Sequence, residues 1–269
     1  KEYRRQRQMC IRHRNRAGVI QPIDTSRLPS WGELFPELTE MGTVNFDGKQ
    51  WMAPVDWGDT SLIYNPDKVD WMSAGNESLG LLFDDRMEGK LAILDSAADS
   101  WYLVAIYHGI DVTRMEHVTK TQVDSVYAAL RQMRKNVKIF TTDTATMEQA
   151  LMDEEVWCAL GWNESSWNTG FPMMSPSEGT LTWSCGLVIH KDAPNLDLAY
   201  DLIESAISAE TSEYLLNEWG YGHSNKSGYE TIDAAGLAER GLAPDPIAHL
   251  QNCLLYTSPS PRDGLLSRM

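Results

Sequence analysis

Short apolar runs, separated by polar turn-forming residues, alternate along the chain, and one stretch organises the rest. From Val156 to Ile189 it reads VWCALGWNESSWNTGFPMMSPSEGTLTWSCGLVI. Its two apolar runs, Val156–Leu160 and Leu187–Ile189, are bounded by Gly, Ser, Asn, Pro and Trp, the pattern of buried strands. Trp162 lies just beyond the first run and Trp183 just before the second. Large aromatics among small residues at strand ends can line a cleft. The alternative is that both fill a core, where Trp is usually well buried.

The same alternation predicts the other elements. Asp47-Gly48 predicts a hairpin turn within Val44–Trp51. Ser61–Tyr64 predicts a strand after an interruption at Trp57-Gly58-Asp59-Thr60, closed by Asn65-Pro66-Asp67. Leu91–Leu94 predicts a strand, and Ser96-Ala97-Ala98-Asp99 a capping box that opens a helix running to Gly109. Lys120–Lys135 and Thr144–Met152 predict helices on either side of a strand at Val137–Phe140. Leu196–Ile207 and Glu210–Trp219 predict two more helices, and Gly220-Tyr221-Gly222-His223 a turn. Residues up to Asn252 read as mostly helical and polar. Strands alternating with helices predict an α/β fold with parallel sheets, and ligands collect at strand C-terminal ends in such sheets.

Charge and termini change the picture next. The formal charge is −15, which argues against nucleic acid, whose partners are basic, and fits solubility or attraction of cations. No run of about 18 apolar residues is present to span a membrane. Arg4–Arg12 and Cys253–Asp263, continued by Gly264–Met269, resemble in-frame translations of adapter DNA from transposon-based sequencing libraries. Such scars are excluded from fold reasoning; the alternative is a real basic arm and a real Ser/Pro tail. Residues 1–14 and 253–269 carry eight basic and two acidic residues, leaving 15 against 36 and a net −21. Cys10 and Cys253 drop out with them. Cys158 and Cys185 remain, too few for a disulfide framework or a four-cysteine zinc site, and are read as buried free thiols.

Catalytic motifs are scarce. There is no phosphate-binding glycine loop, nucleophile elbow or zinc-binding His-Glu-x-x-His. His108, His117, His190, His223 and His249 are scattered. Asp84-Asp85 and Glu154-Glu155 read as solvated turns. What remains at strand ends and turns is Trp57, Asp59, Asp99, Trp162, Glu164, Trp183 and Tyr221. Aromatic faces attract alkylammonium groups by about 0.5–2 kcal/mol each, and carboxylates add charge-assisted hydrogen bonds. Such a set can bind an amine. For Asp99 the plainer role is to serve the helix cap and dipole, and the two are compatible.

These residues carry a resemblance. VDWGDTSLIYNPDKV (55–69), Gly89–Ile110, the Val137–Thr142 strand, EVWCALGW (155–162), EGTLTWSCGLVI (178–189) and WGYGHSN (219–225) resemble, in that order, the periplasmic spermidine/putrescine-binding proteins of ATP-driven importers. These belong to the extracellular solute-binding proteins. The resemblance covers about residues 25–250. It implies a type II two-lobed periplasmic-binding-protein fold, with the N-terminal lobe incomplete. Residues 15–68 with 184–226 would form the first lobe, and 69–183 with 227–252 the second. It implies that Trp162 and Trp183 stack on the ligand, that Asp99 binds an amine and that Tyr221 contacts the ligand. Cys185 and Ser96 stand where the family's polyamine binders carry acids; Glu164 or Asp59 would substitute, or the ligand carries a single amine. The implied protein is a monomeric, non-enzymatic, periplasmic subunit without cofactor or metal, which delivers a small cationic ligand to a membrane permease. The expected signal peptide is missing from a truncated start. Rival readings are a binder of amino-acid derivatives, sugars or anions, an enzyme on the same fold, for which Cys185 is the one candidate nucleophile and the nearest histidine in sequence, His190, lies beyond the following strand, and a fragment that binds nothing.

Overall fold

The computed structural model describes residues 11–94, 96–252 and 254–256. The main sheet uses six labelled strands: β1 (Ala53–Tyr64), β2 (Leu91–Leu94), β3 (Val137–Thr141), β4 (Cys158–Trp162), β5 (Leu181–Leu187) and β6 (Leu254–Tyr256). Their order is β6-β5-β1-β4-β2-β3, and Gly222–His223 adds to β1 beyond the end of β4. The helices that matter are α1 (Ala97–Tyr107), α2 (Lys120–Met133), α3 (Thr144–Met152), α4 (Asn163–Thr169), α5 (Leu196–Ala206), α6 (Ala209–Tyr214), α7 (Ala234–Glu239) and α8 (Pro246–Asn252).

The sheet is mixed, not purely parallel. β2, β3 and β4 run parallel, as right-handed strand–helix–strand units require, but β1 is antiparallel to both β4 and β5. β1 is also far longer than Ser61–Tyr64: the expected interruption at 57–60 is continuous strand. β5 begins at Leu181, so Trp183 lies inside it.

Side chains alternate across a strand, and this divides the packing. Leu62, Leu160, Cys158 and Ile93 face α1 and α2 in one cluster with Trp101, Leu103 and Val126. Ile63, Ala92, Leu94 and Ala159 face α3 in another, with Met147 and Leu151. Helices therefore cover both faces here, and the strands carry near-continuous apolar runs. The N-terminal half of β1 and C-terminal half of β5 run on past this region. Ala53 enters a third cluster with Ile189 and with Tyr200, Ile203 and Ile207 of and after α5. Trp57 enters a fourth with Phe35, Leu38, Leu216, Leu237, Leu242 and Leu250. The last three belong to the segment grouped by sequence with residues 69–183; in the structure they pack with Phe35 and Leu38 instead.

Local expectations hold closely where chemistry is local. Asp47 and Gly48 both have positive φ between the paired dipeptides Asn45–Phe46 and Lys49–Gln50, as a primed two-residue turn demands. Ser96 caps α1, its hydroxyl accepting from the Asp99 amide at 3.3 Å. Of the adapter-like segments, residues 1–10, 253 and 257–269 lie outside the described residues. Ile11–Arg16 is a short helix, and β6 lies parallel to β5.

Candidate functional site

Register sets the backbone positions of the two tryptophans, but the indoles go to different surroundings: Trp183 lies on Gly58, whereas Trp162 turns to the Ile63, Leu94 and Met147 cluster on the α3 side. Trp183 is paired with Gly58 and Trp162 with Thr60; Gly58 and Thr60 are two apart on β1 and so share a face. With strands about 4.8 Å apart and a rise of about 3.4 Å per residue, the two tryptophan Cα atoms lie roughly 12 Å apart across β1. Both side chains are half-buried.

Gly58 is required here. A Cβ on it would meet Trp183 Cζ2 at 2.6 Å and collide with Asn163 Oδ1. The indole of Trp183 thus lies over bare backbone. Tyr221 meets it edge-on, with ring centroids 5.4 Å apart and an interplanar angle of 80°, the favoured T-shaped geometry. Tyr221 is placed by the turn before it: Gly220 has φ +69°, open to glycine without strain. Asn163, fully buried at the start of α4, holds that turn. Its Nδ2 donates to the Gly220 carbonyl, and its Oδ1 accepts from the Asp59 amide at 3.3 Å. Nothing in the sequence distinguished Asn163 from an ordinary helix-start asparagine.

Three carboxyls border this face. Glu164 accepts a hydrogen bond from the Tyr221 hydroxyl. Burial raises its pKa above the ordinary carboxylate value; the Tyr221 bond opposes this and the charge of Glu148 adds to it. Asp99, in the first turn of α1 at the end of β2, is raised by burial against the opposing hydrogen bond to Ser96. Asp56 is paired with Cys185, two residues before Gly58 on the same face, and is raised by burial. No lysine or arginine contributes to any of these shifts. Two buried polar atoms on this face, Trp183 Nε1 and Thr60 Oγ1, have no hydrogen-bond partner in the protein. Buried polar atoms are normally satisfied, and orphans of this kind call for a ligand or solvent.

The structure thus brings Trp183, Tyr221, Glu164 and Cys185 together, with Ser96 and Asp99 at the end of β2, while Trp162 packs against the Ile63, Leu94 and Met147 cluster. It does not bring Asp59 there. Asp59 lies on the opposite face, 5% exposed, accepting from Thr182 Oγ1 at 2.5 Å and bonded to His249 Nε2 at 3.1 Å. Trp57 is also on that side, fully buried, with Nε1 donating to the His223 carbonyl. Asp56 was missed because Val55-Asp56 reads as an ordinary polar break before Trp57.

Cys158 is a buried thiol as expected, but Cys185 is exposed. Burial of the sulfur and the charge of Asp56 push its thiol up to about 11, the wrong direction for a nucleophile at neutral pH. His190 lies beyond β5, paired with Ile20, away from Cys185. The paired acids form surface ion pairs: Asp84 with Arg86, Asp85 with Lys135, Glu154 with Lys68 and Glu155 with Lys138. Among the described residues no three metal-ligating side chains gather. No described helix is long and apolar enough to cross a membrane. A recess of about 470 Å³ lined by Ile23, Asp24, Trp31 and Gln50 holds none of the residues singled out above.

Comparison with known proteins follows the same lines. The family profile described as bacterial extracellular solute-binding protein matches residues 14–239. A putrescine/agmatine-binding protein of Pseudomonas aeruginosa is 28% identical over 263 residues, covering 90% of this chain and 68% of its own. The putrescine-binding periplasmic protein PotF of Escherichia coli is 25% identical, covering 85% and 66%. The chain thus spans about two thirds of these relatives. Two solved structures align at a TM-score of 0.79: a putative spermidine/putrescine ABC transporter from Listeria monocytogenes, 21% identical over 96% of this chain and 78% of that one, and PotD from Streptococcus pneumoniae, 17% identical over 96% and 77%. They show a shared fold, the α/β periplasmic-binding-protein architecture.

Proposed function

The chain belongs to the bacterial extracellular solute-binding proteins, and on that premise we propose that it captures a polyamine or related small amine for an ATP-driven importer. It binds and does not catalyse: the relatives that match it bear binding-protein names, and Cys185 lacks both a base and a low pKa.

The observation that carries the reading is the Trp183 face itself. An indole laid on Gly58, a tyrosine edge, three half-buried carboxyls without a basic partner and two orphaned polar atoms gather around Trp183. Such a surface repels anions and leaves uncharged guests facing desolvated acids. An alkylammonium satisfies it: the ring faces attract the cation, and carboxylates at Asp99 and Glu164 form charge-assisted hydrogen bonds. Trp183 stacks on the guest, Tyr221 orients Glu164, and Ser96 holds Asp99.

In this reading β1 and β5 are the strands that cross between two lobes. Residues 15–68 and 184–226 form one lobe and 69–183 the other, with 227–252 joining the first through the packing of Leu237, Leu242 and Leu250. Hinge closure over the guest expels water and strengthens each charge contact. The closed protein, a periplasmic monomer, then presents its cargo to a membrane permease.

Titration calorimetry with putrescine, agmatine and spermidine tests this. Saturable binding is expected, with Trp183→Ala weakening it about tenfold or more. A native chain that binds none of the three, or a Trp183→Ala variant of native affinity, overturns it.

A further inference from the structure

The strand pair that carries Trp183 also carries an acid with no structural task. Asp56 pairs with Cys185 across β1 and β5, and with Gly58 and Thr60 it occupies the indole face. Its charge reaches two site groups, Cys185 and Tyr221, raising the pKa of each. Among the described residues it takes part in no salt bridge, and the side-chain hydrogen bond it makes is to its own backbone. Asp59, three residues on, shows the contrast: it faces the other way and is closed by Thr182 and His249. Independently of any acid, Thr60 is 1% exposed and its Oγ1 is unpartnered on the same face, which points to an occupant.

We propose that Asp56 is a ligand-binding carboxylate that receives a second cationic group at the Cys185 end of the site. The inference rests on the amine-binding reading above and deepens it. The β2 end offers Asp99. Asp56 lies four residues before Thr60 on β1, and Asp99 lies in the first turn of the helix that follows β2, so the two carboxyls stand apart with the Gly58–Thr60 stretch between them. That arrangement suits an extended guest charged at both ends, its methylene chain lying along the indole. Cys185, opposite Asp56, is small and uncharged at neutral pH. It leaves room for the ammonium without competing for it. A single-amine guest would leave one desolvated carboxylate unpaired.

Calorimetry of the native chain, Asp56→Asn and Asp56→Glu with putrescine and with butylamine tests the proposal. The native chain should prefer putrescine. In Asp56→Asn putrescine should weaken about ten- to a hundredfold while butylamine changes little, so that the preference collapses. Asp56→Glu should retain part of the preference. Equal melting temperatures of native and Asp56→Asn protein secure the comparison. Putrescine affinity in Asp56→Asn within about twofold of native overturns this proposal alone. Absence of amine binding by the native chain overturns the amine reading and this proposal with it.

Discussion

Trp57 and Gly58 are sequence neighbours on opposite faces of β1. On the Trp57 side the indole is fully buried in a cluster with Phe35, Leu38 and Leu216, and its Nε1 has protein acceptors. Asp59 on that side is closed by Thr182 and His249, and His249 stacks on Trp57 at 5.7 Å. Ser184 Oγ and Glu37 Oε2 are the orphans on that side among the described residues. On the Gly58 side the indole of Trp183 is half-buried, its Nε1 is unpartnered, and the carboxyls of Asp56 and Glu164 are half-buried without cationic partners. One strand pair thus presents a finished face and an unfinished one. Finished polar networks hold structure together, whereas polar groups left unsatisfied in a native protein mark the place where something else must bind.

Four measurements would break or sharpen that contrast. Trp57→Ala should cost about 3–5 kcal/mol in urea unfolding, because it empties the sealed face; a loss comparable to that of Trp183→Ala would erase the distinction. Gly58→Ala should cost about 1–3 kcal/mol and also weaken putrescine binding more than about tenfold, because the new Cβ displaces the Trp183 ring. Native stability with lost binding would place the glycine's role wholly in the site.

The third concerns pH. Burial lowers the pKa of His249, but the hydrogen bond and charge of Asp59 outweigh it, and the net shift is upward. The protonated pair therefore stabilises the fold fully below the unfolded-state value of about 6.5. That contribution is lost as pH rises through the higher folded value. The melting-temperature difference between native and His249→Gln protein should shrink as the pH is raised from below about 6.5 into the alkaline range; a constant difference would remove the ion pair from the sealed face. The smallest effect belongs to Asp99. Its pKa is raised by burial, so ionising it costs folding energy above the ordinary carboxylate value. Asp99→Asn should melt at or slightly above the native temperature at pH 7 while amine affinity falls; a marked loss of stability would mean that the carboxyl serves the helix cap.

How much of this was legible depended on whether the cause was local. The strand Leu91–Leu94 and the helix Thr144–Met152 agree residue for residue with the expectation, because apolar period and end-capping are written in adjacent residues. The expected Val156–Leu160 strand appears two residues later, at Cys158–Trp162. β1 was misread because Trp-Gly-Asp-Thr has the composition of a turn. The Trp183 ring and the Asn163 side chain, both more than a hundred positions away in the chain, explain why glycine occupies a central strand. The indoles, Tyr221 and Glu164 could be picked out by type and by family resemblance. Choosing between Asp56 and Asp59 needed the strand register, since a shift of one residue moves a side chain to the other face. Asn163 acts through the Gly220 carbonyl, a contact to backbone that no residue pattern announces.

The two described cysteines differ in a way that is useful at the bench. Cys158 is inaccessible and Cys185 lies open beside Asp56. Once Cys10 and Cys253 are changed to serine, a maleimide dye applied under mildly alkaline conditions would attach at a single position next to the guest. Because the dye would take the space left for the ammonium, a bound amine should slow its attachment, and the labelling rate would report occupancy.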